Sequence, residues 1–82
     1  MTQHVEKEII AIISDVSGFD VEEISSETNI AHDLEVDSIK TIEITVAIEK
    51  KFKISVRDED VPRITTVKEA VDLVKKLLQQ KK

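Results

Sequence analysis

A chain of 82 residues without a cysteine is expected to form one thin-cored domain, 1–82, held by packing alone, because a domain this small buries only about 60% of its unfolded surface and has no disulfide or thiolate metal site to add. Its net charge is −5 and its aromatics are Phe19 and Phe52 alone; a phosphate backbone needs concentrated Lys and Arg, and single strands usually also stack on aromatics, so nucleic acid is not an expected partner. No basic segment leads into a long apolar run, and no stretch approaches the roughly 18 apolar residues of a membrane span, which predicts a cytoplasmic protein with no membrane span; a monomer is expected.

In chain order, Val5, Ile9, Ile12, Ile13 and Val16 follow the i, i+4, i+7, i+8 spacing of a helix with one buried face, predicting a first helix over 3–16. Gly18, the only glycine, falls where that helix should stop. From Phe19 to Asp37 the apolar residues Phe19, Val21, Ile24, Ile30, Leu34 and Val36 keep no sustained period. This reads as a long connection pinned by separate anchors, and a connection of that length is more often functional than idle.

A second helix is predicted from about Ser38 to Phe52. Beyond it, Ile54 and Val56 alternate like a strand, but no second strand is available to pair with them. An extended linker is expected instead, leading to one short helical turn near Asp58–Val61 that Pro62 curtails. Thr66 and Glu69 fit a capping box, and Val67, Ala70, Val71, Val74, Leu77 and Leu78 give a final helix its apolar face to about Gln79, fraying at Lys81 and Lys82. The predicted fold is all-α, a four-helix bundle of three long helices and one short one, with a long loop between the first two.

The second helix carries two apolar stripes. At about 100° per residue, Ile44, Ile48 and Phe52 form one with Thr41 and Thr45 beside them; Ile39, Ile42 and Val46 form another roughly 150° away, flanked by Glu43, Glu49 and Lys50. A small bundle buries one broad face of a helix. The second stripe must meet the loop, solvent or another protein, and we expect Ile42 and Val46 to remain exposed as a small apolar patch with a charged rim.

Charge separates along the chain as well. Residues 15–37 hold eight acids and no Lys or Arg, whereas Lys75, Lys76, Lys81 and Lys82 lie at the other end. Such an acidic region aids solubility and also suits a basic protein surface, because opposite potentials speed encounter.

Asp37 and Ser38 stand directly before the apolar run, where a side-chain oxygen caps the first turn. A serine there also lies at the positive end of the helix, which favours a phosphate bonded to it. Ser38 is not expected to act as a nucleophile for catalysis by this chain, since an activated serine needs a base within reach and an oxyanion hole. His4 is near the N-terminus, and His32 beside Asp33 reads as a solvated loop histidine rather than a metal ligand.

In "HDLEVDSIKTIEITVAIEKKF", together with "VEEI", "RDEDV" and "ITTVKEAVDLV", the sequence resembles the acyl carrier protein family over nearly its whole length. The resemblance implies a non-catalytic carrier whose Ser38, supported by Asp37, receives 4′-phosphopantetheine from coenzyme A through a phosphopantetheinyl transferase. Acyl intermediates would then pass as thioesters between the enzymes of fatty acid, lipid or polyketide biosynthesis. It further implies a docking helix with Ile39, Ile42, Glu43, Val46 and Glu49 facing acyl-loading, ketosynthase or acyltransferase enzymes, and Ile44, Ile48, Phe52, Ile64 and Val71 as candidates to line an acyl pocket.

Two departures from fatty-acid carriers point to a specialised member rather than a housekeeping one. Glu35-Val36 stands where those carriers have a small pair, and Lys40, Lys50 and Lys51 balance Asp37, Glu43 and Glu49. An aminoacyl or peptidyl carrier, which shares the serine, and a plain helical interaction module in which Ser38 only caps remain alternatives at this point.

Overall fold

The computed structural model describes residues 2–80. Helix α1 (Thr2–Ser17) buries Val5, Ile9 and Ile13, with Ile12 and Val16 at the margin. It ends where Gly18 takes φ 85 and donates its N–H to the Ser14 carbonyl at 2.9 Å. A side chain would find open space there, so the backbone conformation alone asks for glycine.

The connection that follows is more ordered than its aperiodic sequence implies. A 3-10 turn spans Val21–Glu23, and a four-residue helix, α2, spans Ile30–Asp33. The loop expected between two long helices therefore contains a short helix of its own. Asn29 and Asp33 hold α2: the Asn29 carboxamide oxygen accepts from His32 N–H at 2.8 Å, and the Asp33 carboxylate accepts from Asn29 N–H at 3.0 Å. The anchors Ile24, Ile30, Leu34 and Val36 are buried as expected, whereas Val21 is exposed.

Distant backbone also fixes this segment. Ile30 N–H donates to the Thr65 carbonyl at 2.8 Å, while Val67 and Lys68 N–H donate to Thr28 and Ser26 carbonyls at 3.1 and 2.8 Å. The first amides of the last helix, which have no intrahelical acceptor, are thereby satisfied by the loop. An isolated antiparallel bridge joins Asn29 to Thr66, and among the described residues there is no strand.

Helix α3 runs over Ser38–Phe52 and α4 over Val67–Gln80, matching the second and final predicted helices. The capping box forms: Thr66 Oγ1 accepts from Glu69 N–H, and the Glu69 carboxylate accepts from Thr66 and Thr65 N–H. The expected fraying at Lys81 and Lys82 falls outside the described residues.

The extended linker leads into a 3-10 helix, Asp58–Arg63, which passes through Pro62 instead of stopping before it. Proline's fixed φ near −65° suits 3-10 geometry, and its missing N–H removes one bond from the run without a steric break.

Helix α1 packs against both α3 and α4, and the second 3-10 helix packs on α3. Ile9, Ile13, Ile44, Ile48, Val67 and Val74 are the fully buried centre. Among the described residues no helix is long and apolar enough to cross a membrane.

Candidate functional site

Asp37, not Ser38, is the cap of α3. Its carboxylate accepts from Lys40 N–H at 2.9 Å, and its carbonyl accepts from both Thr41 N–H and Thr41 Oγ1 at 2.9 Å. Ser38 is the first helical residue and is exposed, so its hydroxyl is released from the capping task that the sequence alone assigns to either residue. We predict that Asp37→Ala costs about 1 kcal/mol, seen as a lower urea midpoint at unchanged slope.

The approach to α3 is backbone-constrained. Glu35 holds a left-handed conformation, φ 53, between buried Leu34 and Val36. Such a conformation strains a residue with a side chain, and burial of its two neighbours offsets it.

Ser38 opens onto a depression of about 410 Å³ lined by Ala31, Thr41, Ile42, Val61, Pro62, Ile64 and Thr65. Its walls come from α2, α3 and the second 3-10 helix. Of these residues only Ser38, Ile42 and Ile64 were expected from sequence to belong to a site. The rest are brought together by tertiary structure and leave no local signal.

The other candidate pocket residues lie elsewhere. Ile44 and Ile48 are 2% and 1% exposed within the closed core, Val71 is buried in α4, and Phe52 is half-buried against the core.

The second stripe of α3 is open to solvent. Ile39 is 68%, Ile42 57% and Val46 40% exposed, and Glu43 is exposed beside them. Ile42 belongs to both features, standing on the stripe and at the edge of the depression.

Glu49 behaves differently. Its carboxylate accepts from Val56 N–H at 2.7 Å, and its carbonyl accepts from Lys53 and Ile54 N–H, so it closes the C-terminus of α3 onto the linker. We predict that Glu49→Ala speeds hydrogen exchange at the Val56 amide about tenfold, the loss of a charge-assisted bond worth about 1.5 kcal/mol. The neighbouring Lys51 pairs with Glu8 of α1 at 2.9 Å, a surface contact that contributes little to stability.

His32 stands 3.3 Å from Asp33, both exposed. The hydrogen bond from Asn29 N–H, and after it that with His32, hold the Asp33 carboxyl below its ordinary 3.8. Among the described residues no side chain is found hydrogen-bonded to the Ser38 hydroxyl, and no group of three or more His, Asp or Glu converges as a metal site.

The structure thus sets an exposed serine at a helix start beside an apolar depression and an open stripe. Comparison with known proteins supplies the family. The family model described as the phosphopantetheine attachment site matches residues 7–74. Acyl carrier proteins from two strains of Rickettsia bellii are 40% and 42% identical over 72 residues, 88% of this chain and 84% and 89% of theirs.

Among solved structures, the apo doublet acyl carrier protein from prodigiosin biosynthesis matches with a TM-score of 0.78 over 90% of this chain, at 26% identity. The chain spans 36% of the length of that protein. On these grounds the chain belongs to the phosphopantetheine-attachment family of acyl carrier proteins, whose prosthetic group is a covalently attached 4′-phosphopantetheine.

Proposed function

We propose that Ser38 is the attachment residue and that residues 1–82 act as one non-catalytic carrier domain, modified and loaded by partner enzymes. The observation that carries this reading is the exposed Ser38 at the first position of α3, with capping delegated to Asp37.

The residues present suit the group. The N–H groups of Ser38 and Ile39 precede the first intrahelical bond, made by Thr41, so a phosphodiester on Ser38 sits at the positive end of the helix. The adjoining depression offers apolar walls from Ile42, Val61, Pro62 and Ile64, with Thr41 and Thr65 as polar partners. When bound, the group supplies a terminal thiol on which acyl cargo is held as a thioester.

In the modification step the Ser38 oxygen bonds to the pantetheine-bearing phosphorus of coenzyme A, adenosine 3′,5′-bisphosphate leaves, and the serine proton passes to a base of the transferase. Among the described residues no side chain is hydrogen-bonded to the Ser38 hydroxyl, so the base is assigned to the transferase. Partner enzymes read Ile39, Ile42 and Val46 with Glu43 at the rim, while Glu49 contributes by fixing the end of the helix. Cargo that folds back meets Ile64 at the depression. It reaches Ile44 and Ile48 only by parting side chains that are almost completely buried.

A specialised acyl or polyketide pathway fits better than general fatty acid synthesis. Over residues 37–51 acids and bases balance, which weakens attraction to uniformly basic partners, and one similar solved structure is a carrier from prodigiosin biosynthesis. Incubation with coenzyme A and a broad-specificity phosphopantetheinyl transferase should add the mass of one phosphopantetheine; a wild-type protein that stays unmodified overturns the reading.

A further inference from the structure

The balanced charge of α3 conceals a segregated one. Around its N-terminus Asp33, Glu35, Asp37 and Glu43 are exposed, with Lys40 as the only cation from 33 to 43. At the other end Lys50 is exposed, while the nearby acid Glu49 is turned to Val56 N–H and Lys51 to Glu8.

At about 100° per residue, Ile39, Glu43, Val46 and Lys50 fall within roughly 60° of one another, so the exposed face reads apolar, acidic, apolar, basic along its length. Lys50 lies roughly 10 Å from Glu43 and roughly 18 Å from Ser38 along the helix axis. The first spacing is already about a Debye length at physiological salt. A partner therefore meets two patches of opposite sign rather than a neutral helix.

We propose that the transferase that modifies Ser38 docks through a dipolar surface: an apolar recess for Ile39, Ile42 and Val46, basic groups at the lip of its active site, and at least one acidic group set against Lys50. This deepens the carrier reading and rests on it. A uniformly basic face would set like charge against Lys50, which disfavours the complex and fixes register against it. The acidic group also orients the helix, because a reversed α3 would bring Glu43 to it and Lys50 to the basic lip.

The test is the steady-state rate of modification of the apo-protein by the transferase encoded in the same genome, followed by intact mass. Lys50→Glu should raise the KM for the carrier about fivefold, the scale of a surface charge pair, with kcat unchanged. Glu43→Lys should raise it comparably. Both variants should keep wild-type circular dichroism, since both positions are exposed.

A lowered KM in Lys50→Glu would show a uniformly basic partner, and an unchanged KM would place the far end of α3 outside the interface; either result overturns the dipolar surface. Failure of the carrier reading looks different, because the wild-type protein would then gain no mass.

Discussion

Ser38→Ala should abolish the coenzyme A-dependent mass gain completely while leaving stability within about 0.5 kcal/mol of wild type. The combination is diagnostic because the two roles available to this serine make opposite forecasts for stability. A capping hydroxyl accepts from a first-turn amide, and losing it costs about 1 kcal/mol. Here that amide, Lys40 N–H, belongs to Asp37 at 2.9 Å, and alanine is the better helix former at the position Ser38 occupies. Intact mass with thermal melting reads both quantities from one preparation. A mass gain that persists in Ser38→Ala would move attachment to another residue, and a stability loss above about 1 kcal/mol would return Ser38 to the capping role.

The distinction between Asp37 and Ser38 marks how far the sequence could be read. The three long helices were legible because Val5, Ile9 and Ile13, then Ile44 and Ile48, then Val67, Ala70, Val71 and Val74 repeat at helical spacing and are the residues found buried. The two stripes of α3 were legible for the same reason, with Ile39, Ile42 and Val46 left outside.

Helix α2 was not legible. Four residues are too few to show a period, and it owes its place to the Asn29–Asp33 pair and to Thr65 far along the chain. The continuation of the second 3-10 helix through Pro62 was hidden because proline reads as a stop in an α-helix but fits the tighter turn. Glu49 looked like a rim charge of the docking face, and only the fold brings Val56 N–H to it. The depression at Ser38 is likewise assembled from Ala31, Val61, Pro62 and Thr65, residues with no shared pattern in sequence.

The second large effect contrasts two isoleucines on one helix. Ile48 is 1% exposed and Ile42 57%, although both lie among similar neighbours in sequence. Ile48→Ala removes buried carbon and leaves a cavity in a core without disulfides, at a cost of about 2–5 kcal/mol. A domain of this size has only on the order of 5–10 kcal/mol to lose, so melting should fall by on the order of 10–30 °C.

Ile42→Asp, by contrast, places a charge where water already reaches. It should shift stability by no more than about 0.5 kcal/mol while cutting transfer to partner enzymes at least about tenfold, the scale of losing a central apolar anchor. Denaturant unfolding of both variants beside the transferase assay separates the outcomes. If Ile42→Asp unfolds the domain as Ile48→Ala weakens it, the stripe is core and the docking face lies elsewhere. If both variants melt normally, helix packing is not what places Ser38. The expected result, a stability defect without a recognition defect in folded Ile48→Ala and the reverse in Ile42→Asp, follows from one helix dividing its isoleucines between holding the fold and meeting the partner.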